Sequence, residues 1–148
     1  MDYIKIKFGD DIDELDSRFE KTMEDMFRSL NPMFRLTERT WKPQMDIHET
    51  PEEVIILAEI AGADKDRLEI QISSKAVRIF GFRDELPRTE NTTYRLAEIQ
   101  YGKFARTLYL PALIDTEKVS ASYVDGFLKI QLAKMPPPQV HRIPISDE

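Results

Sequence analysis

The chain has 148 residues, a length that fits one domain with extensions at its ends. Its 41% hydrophobic and 32% charged residues allow a core and a solvated surface, which sets aside a wholly disordered chain and an integral membrane protein. A formal charge of −6 argues against nucleic-acid binding through a basic surface, and the absence of cysteine removes disulfide scaffolds, thiol nucleophiles and cysteine-based zinc sites. The opening residues, Met1-Asp2-Tyr3-Ile4-Lys5-Ile6-Lys7-Phe8, break into charge before a secretory apolar core can form, and no apolar run is long enough to span a bilayer. The expected location is the cytoplasm.

Between Asp10 and Asn31 the apolar residues Ile12, Leu15, Phe19, Met23, Met26, Phe27 and Leu30 recur at steps of three or four, which predicts an amphipathic helix. Asp10 or Asp11 suits its cap, Asp13 and Glu14 suit the positive end of its dipole, and Asn31-Pro32 stops it. Its apolar stripe has two uses: packing on the chain's own core, or facing other chains. The mixture of Phe and Met favours the second, because unbranched Met adapts to irregular surfaces. With Phe8, Met33 and Phe34 beside it, the stripe is the candidate surface for binding other proteins, and the arm is set at residues 1–41.

From Met45 the hydrophobic period changes to two. Leu68 to Ile72, Val119 to Tyr123 and Leu128 to Leu132 alternate as half-buried strands. Val54 to Ala58 is a continuous β-branched run suited to a strand covered on both faces, and Val77 to Phe80 and Phe104 to Leu110 complete the set. Asp125-Gly126 is a strong hairpin signal. A long polar insertion, Arg83 to Thr93, ends in Tyr94-Arg95-Leu96, which reads as a strand again. Many short strands with close turn signals predict an all-β, antiparallel β-sandwich over 42–135. Pro136-Pro137-Pro138 then opens an extended tail, 136–148.

The inventory for catalysis is thin. His48 and His141 are the only histidines, His48-Glu49 lacks the second histidine of a metalloprotease helix, and no nucleotide or dinucleotide loop is present, so neither enzyme activity, metal nor cofactor is expected. Two other features concern contacts. Pro144 fixes an extended backbone that projects Ile143 and Ile145 to one side, as a segment docking along a sheet edge requires, although Ile-x-Ile is also common in ordinary strands. Arg106 shares parity with Phe104 and Leu108, which puts a guanidinium on an apolar face, there either paired or reaching past the strand end to water.

Taken together, these blocks resemble the small heat-shock proteins with an alpha-crystallin domain. The resemblance runs from Pro43 to the carboxyl terminus through Pro43 to Glu49, Ala58 to Ala63, Ile79 to Arg83, Tyr101 to Pro111, Ala121 to Leu128 and Ile143-Pro144-Ile145. Ala61 and Ile99 depart from the pattern, standing where the family commonly has proline and arginine. The resemblance implies an immunoglobulin-like sandwich and an ATP-independent holdase for partly unfolded client proteins. It also implies a dimer formed by exchanging the strand Tyr94 to Ala97, larger homo-oligomers, and hand-over to ATP-dependent chaperones downstream. At the dimer interface it places Tyr94, Arg95, Leu96, Glu98 and Arg106, with Glu98 the expected partner of Arg106. It makes Ile143 and Ile145 a tail anchor for a neighbour's groove between the strands of Leu68, Ile70, Ile72 and of Val119, Ala121, Tyr123. The runner-up is a CS-domain co-chaperone, a related sandwich that binds a larger chaperone.

Overall fold

The computed structural model describes residues 4–9, 40–137 and 142–147. Eight strands follow in chain order: β1 Lys5–Phe8, β2 Gln44–Glu49, β3 Glu53–Glu59, β4 Glu69–Ile72, β5 Ala76–Arg83, β6 Gly102–Tyr109, β7 Ile114–Val124 and β8 Phe127–Lys134. They form two four-stranded sheets, β1-β4-β5-β6 and β2-β3-β8-β7. Every pair is antiparallel except β1 with β4. One turn of 3-10 helix, Lys65–Arg67, precedes β4, and no α-helix occurs among the described residues. The helix expected from Asp10 to Asn31 lies outside them.

Period two explains the core. Val54, Ile56 and Ala58 of β3, Ile70 and Ile72 of β4, Val77 and Ile79 of β5, and Leu128, Ile130 and Leu132 of β8 all turn inward and are fully buried. The run in β3 is covered less evenly than expected. Its inner face is buried while Ile55 and Leu57 are half-buried, because the outer face of a two-sheet sandwich is shaded only by its neighbours β2 and β8.

The predicted hairpin joins β7 to β8. Val124 pairs with Phe127, so the loop is Asp125-Gly126, and both have positive φ, 55° and 84°, as a type I′ turn needs. Gly81 is required for a different reason. It pairs with Phe104, whose ring lies over it, so an added Cβ would stand 2.5 Å from Phe104 Cζ.

Three boundaries differ from the sequence reading. Trp41, assigned to the arm, is buried in the sandwich: its N–H donates to the Lys103 carbonyl, its carbonyl accepts from Ala105 N–H, and its ring centroid lies 5.1 Å from that of Phe104. Residues 5–8, also assigned to the arm, form the edge strand β1. The strand expected at Tyr94-Arg95-Leu96 is absent, and 84–101 runs from β5 to β6 as one irregular loop. No strand lies alongside that segment to complete a ladder, and an extended segment with unpaired backbone groups gains nothing from strand geometry alone.

Candidate functional site

The groove expected between β4 and β7 is built from two kinds of residue. Leu68, Ile70 and Ile72 are buried core, held in place by pairing of β4 with β5. Val119, Ala121 and Tyr123 are half-buried and pack on that core from β7, the edge strand of the other sheet. Tyr123 is fixed more firmly than its parity foretold. Its hydroxyl donates to the Ile60 carbonyl at 2.7 Å and accepts from Ala63 N–H at 3.3 Å, tying β7 to the turn that leads toward β4.

The free edge of β4 carries β1. Ile6 stands beside Ile70 and Phe8 beside Ile72, and Ile4 and Ile6 are half-buried against the core. Phe8, expected on the protein-binding surface, keeps 54% exposure at the end of this strand. The other residues of that surface, Ile12, Leu15, Phe19, Met23, Met26, Phe27, Leu30, Met33 and Phe34, lie outside the described residues. The expected tail anchor is open, with Ile143 82% and Ile145 91% exposed.

The second surface is the loop 84–101, exposed from 84 to 100. Leu86, Tyr94, Leu96 and Ile99 present apolar groups to solvent from it. Its tip is organised by charge: Glu85 accepts from the Tyr94 hydroxyl at 2.9 Å and pairs with Arg88 at 2.6 Å, and the Arg88 guanidinium lies over the Tyr94 ring. Arg88 first and Tyr94 second hold the Glu85 carboxyl below the ordinary range, and the same bond to Glu85 raises the Tyr94 phenol.

At the loop's base stands Arg83, whose importance the sequence alone did not reveal. Its Nε donates to the Gln100 carbonyl at 2.9 Å, its Nη1 donates to the Ala61 carbonyl at 3.1 Å, and its guanidinium sits 4.2 Å above the Trp41 ring. One residue thus joins both ends of the loop, the turn after β3 and the aromatic cluster. An arginine at a strand end was the available signal, but its partners are backbone carbonyls, which no sequence pattern marks. A parallel arrangement holds the other side: Arg67 bonds Asp64 at 2.8 Å and both oxygens of Asp84, and lies over Phe82. Arg67 above all holds the Asp64 carboxyl below its usual range.

Arg106 has the inward parity expected, opposite Ile79, and is half-buried. Within its own chain it is bonded to the main chain. Nη1 donates to the Pro43 carbonyl at 2.8 Å, while Glu98 stands exposed in the loop. A carbonyl just ahead of β2 thus takes one of the five N–H donors of the guanidinium within one chain. The strand β2 is itself an edge, bonded to β3 on one side only, and Ile47 on it is exposed. Open backbone groups along such an edge are a template for another strand. Among the described residues no cluster of His, Asp and Glu could hold a metal ion, and no helix is long and apolar enough to cross a membrane.

Two sheets of four strands, a long loop between β5 and β6 and an Ile-x-Ile tail define the class, an alpha-crystallin-type β-sandwich. The Hsp20/alpha crystallin family model matches residues 46–146, and the chain belongs to this family of small heat-shock proteins. It is 31% identical to small heat shock protein C4 of Rickettsia felis over 104 residues, 70% of this chain and 64% of that protein. To the 18.5 kDa class I heat shock protein of Glycine max it is 33% identical over 123 residues, covering 81% and 73%. Among solved structures, a small heat-shock protein from Xylella fastidiosa aligns with a TM-score of 0.60 and 28% identity over 74% of this chain and 100% of that one. HspA from Xanthomonas axonopodis gives 0.59 and 30%, over 66% and 98%. The chain therefore spans slightly under two thirds of the Rickettsia relative.

Proposed function

We propose that the protein is a cytoplasmic, ATP-independent holdase that captures partly unfolded proteins and works as a homo-oligomer. Family membership across 46–146 carries this reading, and it favours a small heat-shock protein over a CS-domain co-chaperone. The geometry supports the assembly half. The two segments that leave the sandwich carry exposed apolar groups, Leu86, Tyr94, Leu96 and Ile99 on the loop 84–101 and Ile143 and Ile145 on the tail 142–147, while the sandwich keeps open edges at β2 and β7.

In this reading Tyr94 to Ala97 pairs with the free edge of β2 in a second copy, with Arg95, Glu98 and Arg106 near that interface. The tail's Ile143 and Ile145 enter the β4–β7 groove of a neighbour. Burying both isoleucines contributes about 3–6 kcal/mol before ordering costs, a weak contact that many tails together make strong. The apolar arm then meets exposed apolar surface on the client, so that burial lowers the concentration of free, aggregation-prone chain. ATP-dependent chaperones would refold what is released.

The test is turbidity of a thermolabile enzyme on heating. Clouding should fall as this protein is added in the absence of nucleotide. Unchanged clouding at molar excess, or a requirement for ATP, would sink the reading.

A further inference from the structure

The edge of β4 that the tail is proposed to occupy is already filled. β5 takes one side of β4 and β1 takes the other, so no backbone group is left there for a third strand. The occupant has the same signature as the tail: Ile4-Lys5-Ile6 repeats the spacing of Ile143-Pro144-Ile145, and both put two isoleucines on one side of an extended chain. We propose that the two ends of the chain compete for one groove, with β1 acting as a built-in occupant that limits docking of a neighbour's tail. This rests on the tail-anchor reading above.

The competitors differ in two ways that the structure makes explicit. First, β1 is held by charge. Lys7 Nζ stands 2.9 Å from Glu69 Oε1 on the outer face, and Glu69 is largely covered. In the tail the cation, Arg142, precedes the isoleucines instead of following them, so a tail running parallel to β4 would leave Ser146 beside Glu69 and only one running the other way brings Arg142 there.

Second, the backbones face differently. Gly9 N–H donates to the Ile72 carbonyl, so strand alternation turns the peptide groups of Lys7 and Lys5 toward β4 as well. Set into that parallel frame, Pro144 would take the place of Lys5 and have no N–H to give. Running the other way, the tail turns the peptide groups of Ile143 and Ile145 to the edge with both side chains still inward, and the proline loses nothing. The tail therefore docks antiparallel to β4, where β1 is parallel.

β1 is a suitable regulator because it is marginal. It has four residues, of which only Ile6 packs on the core, joined by Ile4 just ahead of the strand, and Phe8 remains half exposed. A short edge strand with one ion pair, open to solvent on its lysine side, opens far more readily than the sandwich beneath it.

Lys7→Glu sets like charges face to face and weakens β1 without altering any tail residue. In the full chain it should raise the average particle mass by light scattering. In a background carrying Ile143→Ala and Ile145→Ala it should tighten binding of a labelled peptide spanning residues 139–148 by about two- to fivefold. Lys7→Glu with Glu69→Lys restores the pair within β1 and also repels Arg142 of a docked tail, so peptide binding and particle mass should return to parental values or fall below them. Because the chain lacks cysteine, Lys5→Cys with Glu69→Cys, which are register partners, offers the opposite arm. Oxidation should lock β1 in place, exclude the peptide and shrink the particle, and reductant should reverse both.

Two negative results separate the readings. If the peptide binds equally to Lys7→Glu, the locked form and the parental background, the tail reading stands and competition is overturned. If no form binds the peptide, and Ile143→Ala with Ile145→Ala leaves particle mass unchanged, the tail anchor itself is wrong and the competition falls with it.

Discussion

Arg83 and Arg106 are both half-buried guanidinium groups bonded to backbone carbonyls, yet the consequences of removing them differ. Arg83 joins Gln100, Ala61 and the Trp41 ring, so Arg83→Ala frees the base of the loop and uncovers the aromatic cluster. Hydrogen bonds from a charged donor contribute about 1.5–3 kcal/mol when shielded, less where solvent reaches them. Melting temperature should fall by several degrees, and the emission of Trp41, the only tryptophan, should shift to longer wavelength. Unchanged emission and melting would show that the clamp is dispensable. Arg106→Ala removes one bond, to Pro43, and should cost about 1 kcal/mol. If the cost appears only as loss of the dimer in sedimentation, Arg106 is acting across copies and not within its own chain.

At the scale of elements, the legible parts were those with strong alternation. β4, β7 and β8 and the Asp125-Gly126 hairpin follow from period two and from the positive φ that a two-residue loop demands. Tyr3-Ile4-Lys5-Ile6-Lys7-Phe8 alternates as cleanly, but it lies apart from the other strands in sequence, and its partner, β4, is more than sixty residues away. Pairing at that separation leaves no local mark. The inward positions of Leu68, Ile70 and Ile72 were legible through parity, whereas the Arg83 and Tyr123 clamps were not, because both bond to main-chain atoms.

The loop offers a test by pH. Glu85 is held below the ordinary carboxylate range by Arg88 and Tyr94. A carboxyl lowered in the folded state contributes stability that is present above its unfolded pKa and lost as pH falls through the folded one. Ordering of the loop should therefore weaken below pH ~4, seen as faster amide exchange in 84–101, while the buried strands keep their protection. Glu85→Gln should show the weakened loop already at pH 7. Loop protection that stays flat from neutral pH to pH 3 would mean that the Glu85 contacts do not hold it.

For the whole molecule, the position of β1 changes what removal of the arm should do. Deleting Met1 to Thr40 takes away the apolar stripe proposed for client capture and, with it, the strand on β4. The core strands β3, β4, β5 and β8 lose little, since Ile4 and Ile6 are only half-buried, and the loss is about 1–3 kcal/mol. The truncated protein should keep its β-type circular dichroism, melt a few degrees lower, and protect a heated client poorly at equal mass. With the groove emptied of β1, it should also bind the free 139–148 peptide more tightly than the full chain does, once its own tail carries Ile143→Ala and Ile145→Ala. Collapse of the β signal on truncation would show instead that the arm is part of the core. Full client protection by the truncated chain would move the capture surface onto the sandwich and its loop, where Leu86, Leu96, Ile99, Leu113 and Phe127 are among the exposed apolar groups.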